Sequence, residues 1–481
     1  MSEKNNTSAK LQRGIDWKQG LAIAIGVPLL ILPSIGYFTN YVWGFSIIVW
    51  MLSVFQGFMQ NLAYGEMATM FPNASGLPGF AQSIFKNNNS KNKYSIGKFI
   101  GGFSAWSYWF AWNPILAIFS ILIGTYLHEL LPIFNSVSEL KLCLLVGIII
   151  NSLLIIVNYK GLSSGAVLGY ILAGISLAPV IIIALSPFIT KQFHFSNITE
   201  FWLPTSWQWD LSHIMMLFGV FAMAQWSACA WETASIYGPE YKNPKSDLPK
   251  ALFSCGIACF LIFALVQTAC IGTLGVNGIL SAPLSPMLSL AKVSLGSTGA
   301  YISIFMLIAA MVLIIQTALL GSSRAMYSMS LEGNLPKFFG KTNQYGTPIN
   351  AMICIALLNL VLISLRTPTA IIAASSIGYV FANGISLFAY VKAKRDSKLS
   401  KLEASFNAPK GWKNIALLFG IINIPFYLIG VVYLNSLEVG WKSTWVGFIV
   451  LGCYIPLWLY SQSKNSSEEN LVNRDSILTD K

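Results

Sequence analysis

The chain has 481 residues, 55% hydrophobic and only 10% charged, with a net charge of +12. A soluble domain carries about a quarter charged residues, so this composition excludes a water-solvated surface and points to lipid. The positive excess is no nucleic-acid signal, because the bases sit in short connections between apolar runs and form no continuous stripe.

In lipid every backbone N–H and C=O must be satisfied within the spanning structure, which leaves helices or a closed barrel. The apolar runs are about 20 residues long, the helical length for a core of about 30 Å and twice that of a barrel strand. Residues 1–18 are polar and read as a cytoplasmic tail, without the pattern of a signal peptide. Twelve spans are then predicted: 19–38, 43–70, 97–127, 139–158, 164–187, 211–236, 250–275, 297–331, 350–366, 368–391, 413–434 and 443–462. The stretch Gly76 to Phe85 reads equally as a short interfacial helix or a loop. Residues 463–481 form a polar C-terminal tail.

The first span carries Ala24-Ile25-Gly26-Val27-Pro28-Leu29 in its middle. Glycine is permissive, and proline lacks an N–H and clashes with the preceding turn. A break there frees carbonyls that a solute or ion could satisfy; a simple proline kink is the plainer alternative. Asn113, before Pro114 in the third span, reads more readily as an interhelical hydrogen bond than as a ligand contact. The sixth span reads Gln225-Trp226-Ser227-Ala228-Cys229-Ala230-Trp231-Glu232-Thr233. A carboxylate at that depth costs about 2.5–3.5 kcal/mol on insertion scales, which marks Glu232 as functional unless it only caps a half-helix or pairs structurally. In the eighth span Gln316, Thr317, Ser322 and Ser323 are polar at membrane depth.

The two interruptions lie five spans apart, as expected if residues 19–187 and 211–391 are inverted five-helix repeats followed by two further helices at 413–462. Paired interruptions point to a midplane transport site. Orientation follows from Lys and Arg. With both tails inside, 25 of the 30 bases are cytoplasmic, and only Lys141, Lys191, Lys292, Arg366 and Lys442 fall outside. The seven cysteines all lie in apolar runs and read as packing residues without a disulfide framework. The three histidines form no metal cluster.

Three stretches resemble the amino acid–polyamine–organocation (APC) superfamily of permeases. They are Tyr64-Gly65-Glu66-Met67-Ala68-Thr69-Met70-Phe71-Pro72; Trp231-Glu232 with Pro239-Glu240-Tyr241-Lys242-Asn243-Pro244-Lys245; and Ser323-Arg324-Ala325-Met326-Tyr327 through Gly333-Asn334-Leu335-Pro336 to Gly346-Thr347-Pro348. The resemblance implies an all-α membrane protein of twelve transmembrane helices, a LeuT-like five-plus-five inverted repeat with two C-terminal helices. It implies a secondary transporter in the plasma membrane, permease or exchanger, symporter or antiporter, for an amino acid or related amine.

Carried over by position, Ile25, Gly26, Val27, Pro28, Trp226, Ser227, Ala228, Cys229, Ala230, Gln316 and Asn113 are implied to bind substrate. Trp226 is implied as a gate, Glu232 as the coupling group, and Ser322 and Ser323 as sodium-site candidates. Pro28 stands where the family usually has glycine and removes an N–H donor for a substrate carboxylate. That leaves room for a polyamine or organic amine that needs no carboxylate. H+ and Na+ both stand as coupling ions, and monomer and homodimer both stand as assemblies.

Other functions are disfavoured. Gly340-Lys341-Thr342 has Leu335 where a phosphate loop needs glycine, and no catalytic cluster, metal site or cofactor motif marks an enzyme. A nutrient sensor with little flux would keep the same pocket and remains an alternative.

Overall fold

Asp16 opens the first helix. Its carboxylate accepts from the Gln19 N–H at 2.9 Å, while the Gln19 side chain accepts from the Asp16 N–H at 3.0 Å. This reciprocal cap satisfies donors that a helix start leaves free. The computed structural model describes residues 11–86, 94–134, 136–227, 230–283, 285–365 and 367–464, and they are helical nearly throughout.

In chain order, α1 (Trp17–Ala24) passes through a 3-10 turn, Val27–Leu30, into α2 (Ile31–Val42). The chain then reverses at Trp43, whose φ is 44°, into α3 (Ser46–Met70). After α4 (Gly76–Phe85), the third span divides at Asn113 and Pro114 into α5 (Ile96–Trp112) and α6 (Ile115–Leu130), because Pro114 cannot donate into the preceding turn. There follow α7 (Glu139–Asn158), α8 (Leu162–Ile189), the single turn α9 (Ser196–Thr199) and α10 (Leu211–Ser227). Asp210 caps α10: the backbone N–H and ring of His213 both meet its carboxylate at 2.8 Å, and these bonds hold it below the usual carboxylate range.

The sixth span resumes as α11 (Ala230–Thr233) and tightens into a 3-10 stretch, Ala234–Glu240. Two long helices come next, α12 (Pro244–Leu280) and α13 (Pro286–Leu331). They outrun the spans expected at 250–275 and 297–331 because the chain turns inside them, at Gly275 (φ 65°) and Gly296 (φ 67°). Only glycine takes that conformation without a side-chain penalty. The remainder is α14 (Ile349–Ser364), α15 (Pro368–Arg395), α16 (Trp412–Ile421), a π-helical turn at Ile422–Tyr427 around Pro425, α17 (Leu428–Glu438) and α18 (Trp441–Gly452).

Among the described residues nine helical stretches are long and apolar enough to cross a membrane. Three shorter apolar ones accompany them, Trp17–Leu30, Leu211–Ser227 and Ile349–Ser364. Two of those three are pieces of the predicted first and sixth spans, which fall short because they are interrupted. Ile149 and Ile156 on α7, Val167 and Ile171 on α8, and Trp445 and Ile449 on α18 turn outward and exposed. An apolar outer belt of this kind suits lipid and not water. The chain is an integral membrane protein.

Inside the belt the helices pack tightly. Trp50 is fully buried between Phe38 and Phe263, both edge-on at 4.3 and 4.6 Å, and its indole N–H donates to Gln267 at 3.1 Å. The Gln267 amide in turn donates to Thr39 and Ser46, so one polar node ties α2, α3 and α12 together. The stretch Gly76–Phe85 is a helix and not a loop. Leu77, Phe80 and Ile84 are buried against α5 and α15, and Gln82 binds Ser328 and Asn334.

At the N-terminal face of the bundle a backbone latch joins the start of the chain to the end of the sixth span, beside an open space of ≈ 700 Å³ lined by Arg13, Phe71, Tyr327 and Glu332. The N–H groups of Gly14 and Ile15 donate to the Glu240 carbonyl at 2.8 and 3.1 Å, and the Lys242 N–H donates back to Ile15 at 2.8 Å. Above this, Arg324 on α13 grips the Glu240 carboxylate with Nε at 2.8 Å and Nη2 at 2.9 Å. Both partners are buried. Nearby, Glu66 on α3 accepts from Tyr390 at 2.6 Å, Lys394 at 2.7 Å and the Ala408 N–H at 3.2 Å, which ties α3 to α15 and to the segment beyond it.

Candidate functional site

The interruption of the first span is a tightening and not an unwound loop. Ile25, Gly26 and the 3-10 turn all keep right-handed helical backbone angles where these are recorded. The turn is fully buried, and α13 lies directly against it. A Cβ on Gly26 would sit 2.8 Å from Thr317 Oγ1 and 3.0 Å from the Leu313 carbonyl, so a side chain there would push the two helices apart. The Thr317 hydroxyl lies 2.5 Å from the Ile23 carbonyl and 2.9 Å from that of Leu313. The protein's own hydroxyl thus serves a carbonyl at the break. Ile25, Gly26, Val27 and Pro28 are packed and do not line the open space beside them.

That space begins one turn further along the span. A cleft of ≈ 350 Å³ lies between Leu30 and Ser34 of the first span, Phe119 and Leu122 of α6, and Met223, Trp226 and Ser227 of α10. Its mouth is formed by Tyr41 at the end of α2, Pro283 between α12 and α13, Thr369 at the start of α15 and Glu438 at the end of α17. All four lie at the end of the bundle away from the latched N-terminal face. The Ser34 and Ser227 hydroxyls meet at 3.5 Å on the cleft wall, so the first and sixth spans touch there. Trp226 is 4% exposed and its indole N–H donates to the Ala111 carbonyl at 3.4 Å, which places the ring between the sixth span and α5.

Below Ser227, Ala228 and Cys229 lie outside the described residues. Ala230 opens α11, which packs on α3 and α12. Glu232 on α11 is fully buried, and neither carboxylate oxygen has a hydrogen-bond partner among the described residues. Tyr64 of α3 and Cys255 of α12 are its electrostatic neighbours. An unpaired carboxylate is costly in an apolar interior and calls for a counter-charge.

The other residues singled out from the sequence bind their neighbours. Asn113 accepts from the Asn359 amide at 3.2 Å, and Asn359 in turn accepts from the Ala117 N–H at 2.9 Å. Asn113 also borders a separate lateral space of ≈ 250 Å³ against α14, α15 and α18. Gln316 donates to the Gly165 carbonyl of α8 at 2.6 Å, and its own oxygen has no partner among the described residues. Ser322 donates to Ala318 at 2.6 Å and Ser323 to Leu320 at 3.0 Å, and Ser323 also accepts from Arg324 at 3.3 Å. The structure therefore brings Trp226 and Ser227 together at one cleft and leaves Glu232 just beneath it. It places Asn113, Gln316, Ser322 and Ser323 in interhelical or intrahelical bonds.

Sequence reasoning missed Tyr37, Tyr41 and Glu438. The signal for Glu438 was present, a carboxylate directly after an apolar run, but the eleventh span was ended at residue 434 and the acid fell into a loop.

Comparison with known proteins gives a consistent picture. A family profile described as "Amino acid permease" matches residues 15–457. An uncharacterized amino acid permease of Bacillus subtilis is 25% identical over 356 residues, covering 72% of this chain and 76% of that protein. An arginine/ornithine antiporter of Lactococcus lactis is 22% identical over 458 residues, 89% of this chain and 84% of that one. Among solved structures, a manganese transporter of Eremococcus coleocola superposes with a TM-score of 0.55 at 11% identity, over 96% of this chain and 98% of that chain. At that identity the likeness concerns the fold alone.

Proposed function

Since the chain belongs to the amino acid permease family, we propose that it is a secondary transporter that moves an amino acid or related small amine by alternating access around its first and sixth spans. The observation that carries this is the cleft itself: a space of ≈ 350 Å³ walled by both spans at one end of the bundle, while Arg324, Glu240 and the Ile15–Tyr241 contact tie the helices together at the other end, beside a second space of ≈ 700 Å³. That volume lies in the range of about 300–1,000 Å³ common for small-ligand sites. Relatives described as an amino acid permease and an arginine/ornithine antiporter support the same substrate class.

In this scheme residues 19–187 and 211–391 are the two repeats, and helices 413–462 are additions. The distribution of Lys and Arg puts the latched face and both tails in the cytoplasm, so the cleft opens outward. Substrate enters past Tyr41 and Glu438 and reaches the floor at Ser34, Trp226 and Ser227. Release requires Trp226 to move off Ala111 and the Glu240–Arg324 latch to part. Glu232, beneath the floor, is the coupling group: a proton or the cationic end of the solute is the counter-charge it lacks. Ser322 and Ser323 donate their hydroxyl protons within their own helix, which leaves the Ser322 oxygen lone pairs for a cation, whereas the Ser323 oxygen already accepts from Arg324.

Proteoliposomes preloaded with an unlabelled amino acid or amine test the scheme. Labelled solute is expected to enter in exchange and to enter poorly into empty vesicles if exchange is obligatory, or down an imposed proton or sodium gradient if it is symport. Saturable binding with no flux under any of these conditions would make the chain a sensor instead.

A further inference from the structure

The cleft has one charged group among its described lining residues, and it comes from outside the ten helices of the proposed repeats. Glu438 is the last residue of α17 and lines the mouth with Tyr37, Tyr41 and Asn40. No Lys, Arg or His is among the described residues that line the cleft, and no ion pair to Glu438 is found among the described residues. The position is electrostatically unusual. The C-terminal end of a helix already carries a partial negative charge from its unpaired carbonyls, and an acid there adds to it where a base would offset it. Carboxylate and helix end together make the mouth attractive to a cation. The walls deeper in are aromatic and aliphatic: Phe38, Phe119 and Trp226 with Ile118 and Leu122. Aromatic faces also favour a cation lying over them, and aliphatic walls favour a hydrocarbon body.

We propose that Glu438 is the specificity-determining residue of the outer cleft, and that it selects solutes whose protonated amine is not balanced by a carboxylate: small aliphatic amines and diamines in preference to their parent amino acids. This deepens the transport scheme and rests on the cleft being the solute's path. Glu438 binds the amine at the mouth, and the aliphatic body lies against Phe119 and Trp226.

The test is binding on purified protein, read from the intrinsic tryptophan fluorescence to which Trp226 contributes, with flux measured separately. The probes are matched pairs, 1,4-diaminobutane against ornithine and 3-methylbutylamine against leucine. Wild type is expected to bind each amine more tightly than its parent. Glu438→Gln is expected to weaken the amines by at least about 10-fold, the scale of one charge-assisted hydrogen bond, with little change for leucine. Glu438→Asp should retain part of the preference. In wild type, added salt is expected to weaken 1,4-diaminobutane more than 3-methylbutylamine, which checks the idea without any variant. Equal binding of amines by wild type and Glu438→Gln, or amine affinity independent of salt, would overturn the role of Glu438 and leave the transport scheme standing. Amine binding that depends on Glu438 without any flux would do the reverse.

Discussion

Glu232→Gln is expected to cut uptake roughly 10- to 100-fold, the rate equivalent of losing a charge-assisted interaction of about 1.5–3 kcal/mol, while the protein stays folded and inserted. The substitution keeps volume and shape in a fully buried position, so packing against α3 and α12 is preserved. What it removes is the ability to carry charge. Both carboxylate oxygens are without partners among the described residues, so no structural ion pair is broken and a fold defect is not expected. Initial uptake rates in proteoliposomes, beside a size-exclusion profile of the same preparation, separate the two effects. Near-normal uptake would remove Glu232 from the mechanism.

Arg324→Met is expected to do the opposite, damaging stability first. Arg324 and Glu240 form a two-pronged pair at 2.8 and 2.9 Å with both side chains buried. Removing the guanidinium leaves the Glu240 carboxylate buried and unpaired, which costs about 3–5 kcal/mol in comparable cases. The double change Arg324→Met with Glu240→Met removes both charges and should recover most of that loss, because a buried pair replaced by apolar side chains is often close to neutral. Thermal unfolding in detergent measures both. If the pair is also the cytoplasmic latch, the double variant should be stable yet leak or exchange at an altered rate. Equal stability of Arg324→Met and wild type would show that the pair holds nothing.

Much of the fold was legible because lipid imposes a simple rule on backbone groups. Long apolar runs with bases confined to their ends can hardly be anything but helices, and the interruptions at Pro28 and Pro114 follow from one missing N–H each. The cleft was half legible. Trp226 and Ser227 line it, while the break at Ile25 to Pro28 is packed and the opening lies a turn beyond, at Leu30 and Ser34. The reason is Thr317, 294 residues from Ile23 in sequence, whose hydroxyl meets the carbonyl that a solute was expected to take. Asn113 and Gln316 show the same limit: a polar residue at membrane depth needs a partner, and the sequence does not reveal the bonds that these two make to Asn359 and Gly165. The Arg324–Glu240 pair, 84 residues apart, is invisible to any local pattern. Glu438 escaped because symmetry between the first and sixth spans directs attention to the repeats, and α17 lies beyond them.

The most direct measurement is solute protection of the cleft floor. In a chain whose seven native cysteines are replaced, single cysteines are placed by Ser34→Cys and Ser227→Cys and alkylated with a water-soluble thiol reagent. Saturating solute is expected to slow both reactions together, since a molecule held between the first and sixth spans shields both walls at once. Full-rate alkylation at both positions with solute demonstrably bound would place the binding site elsewhere in the bundle.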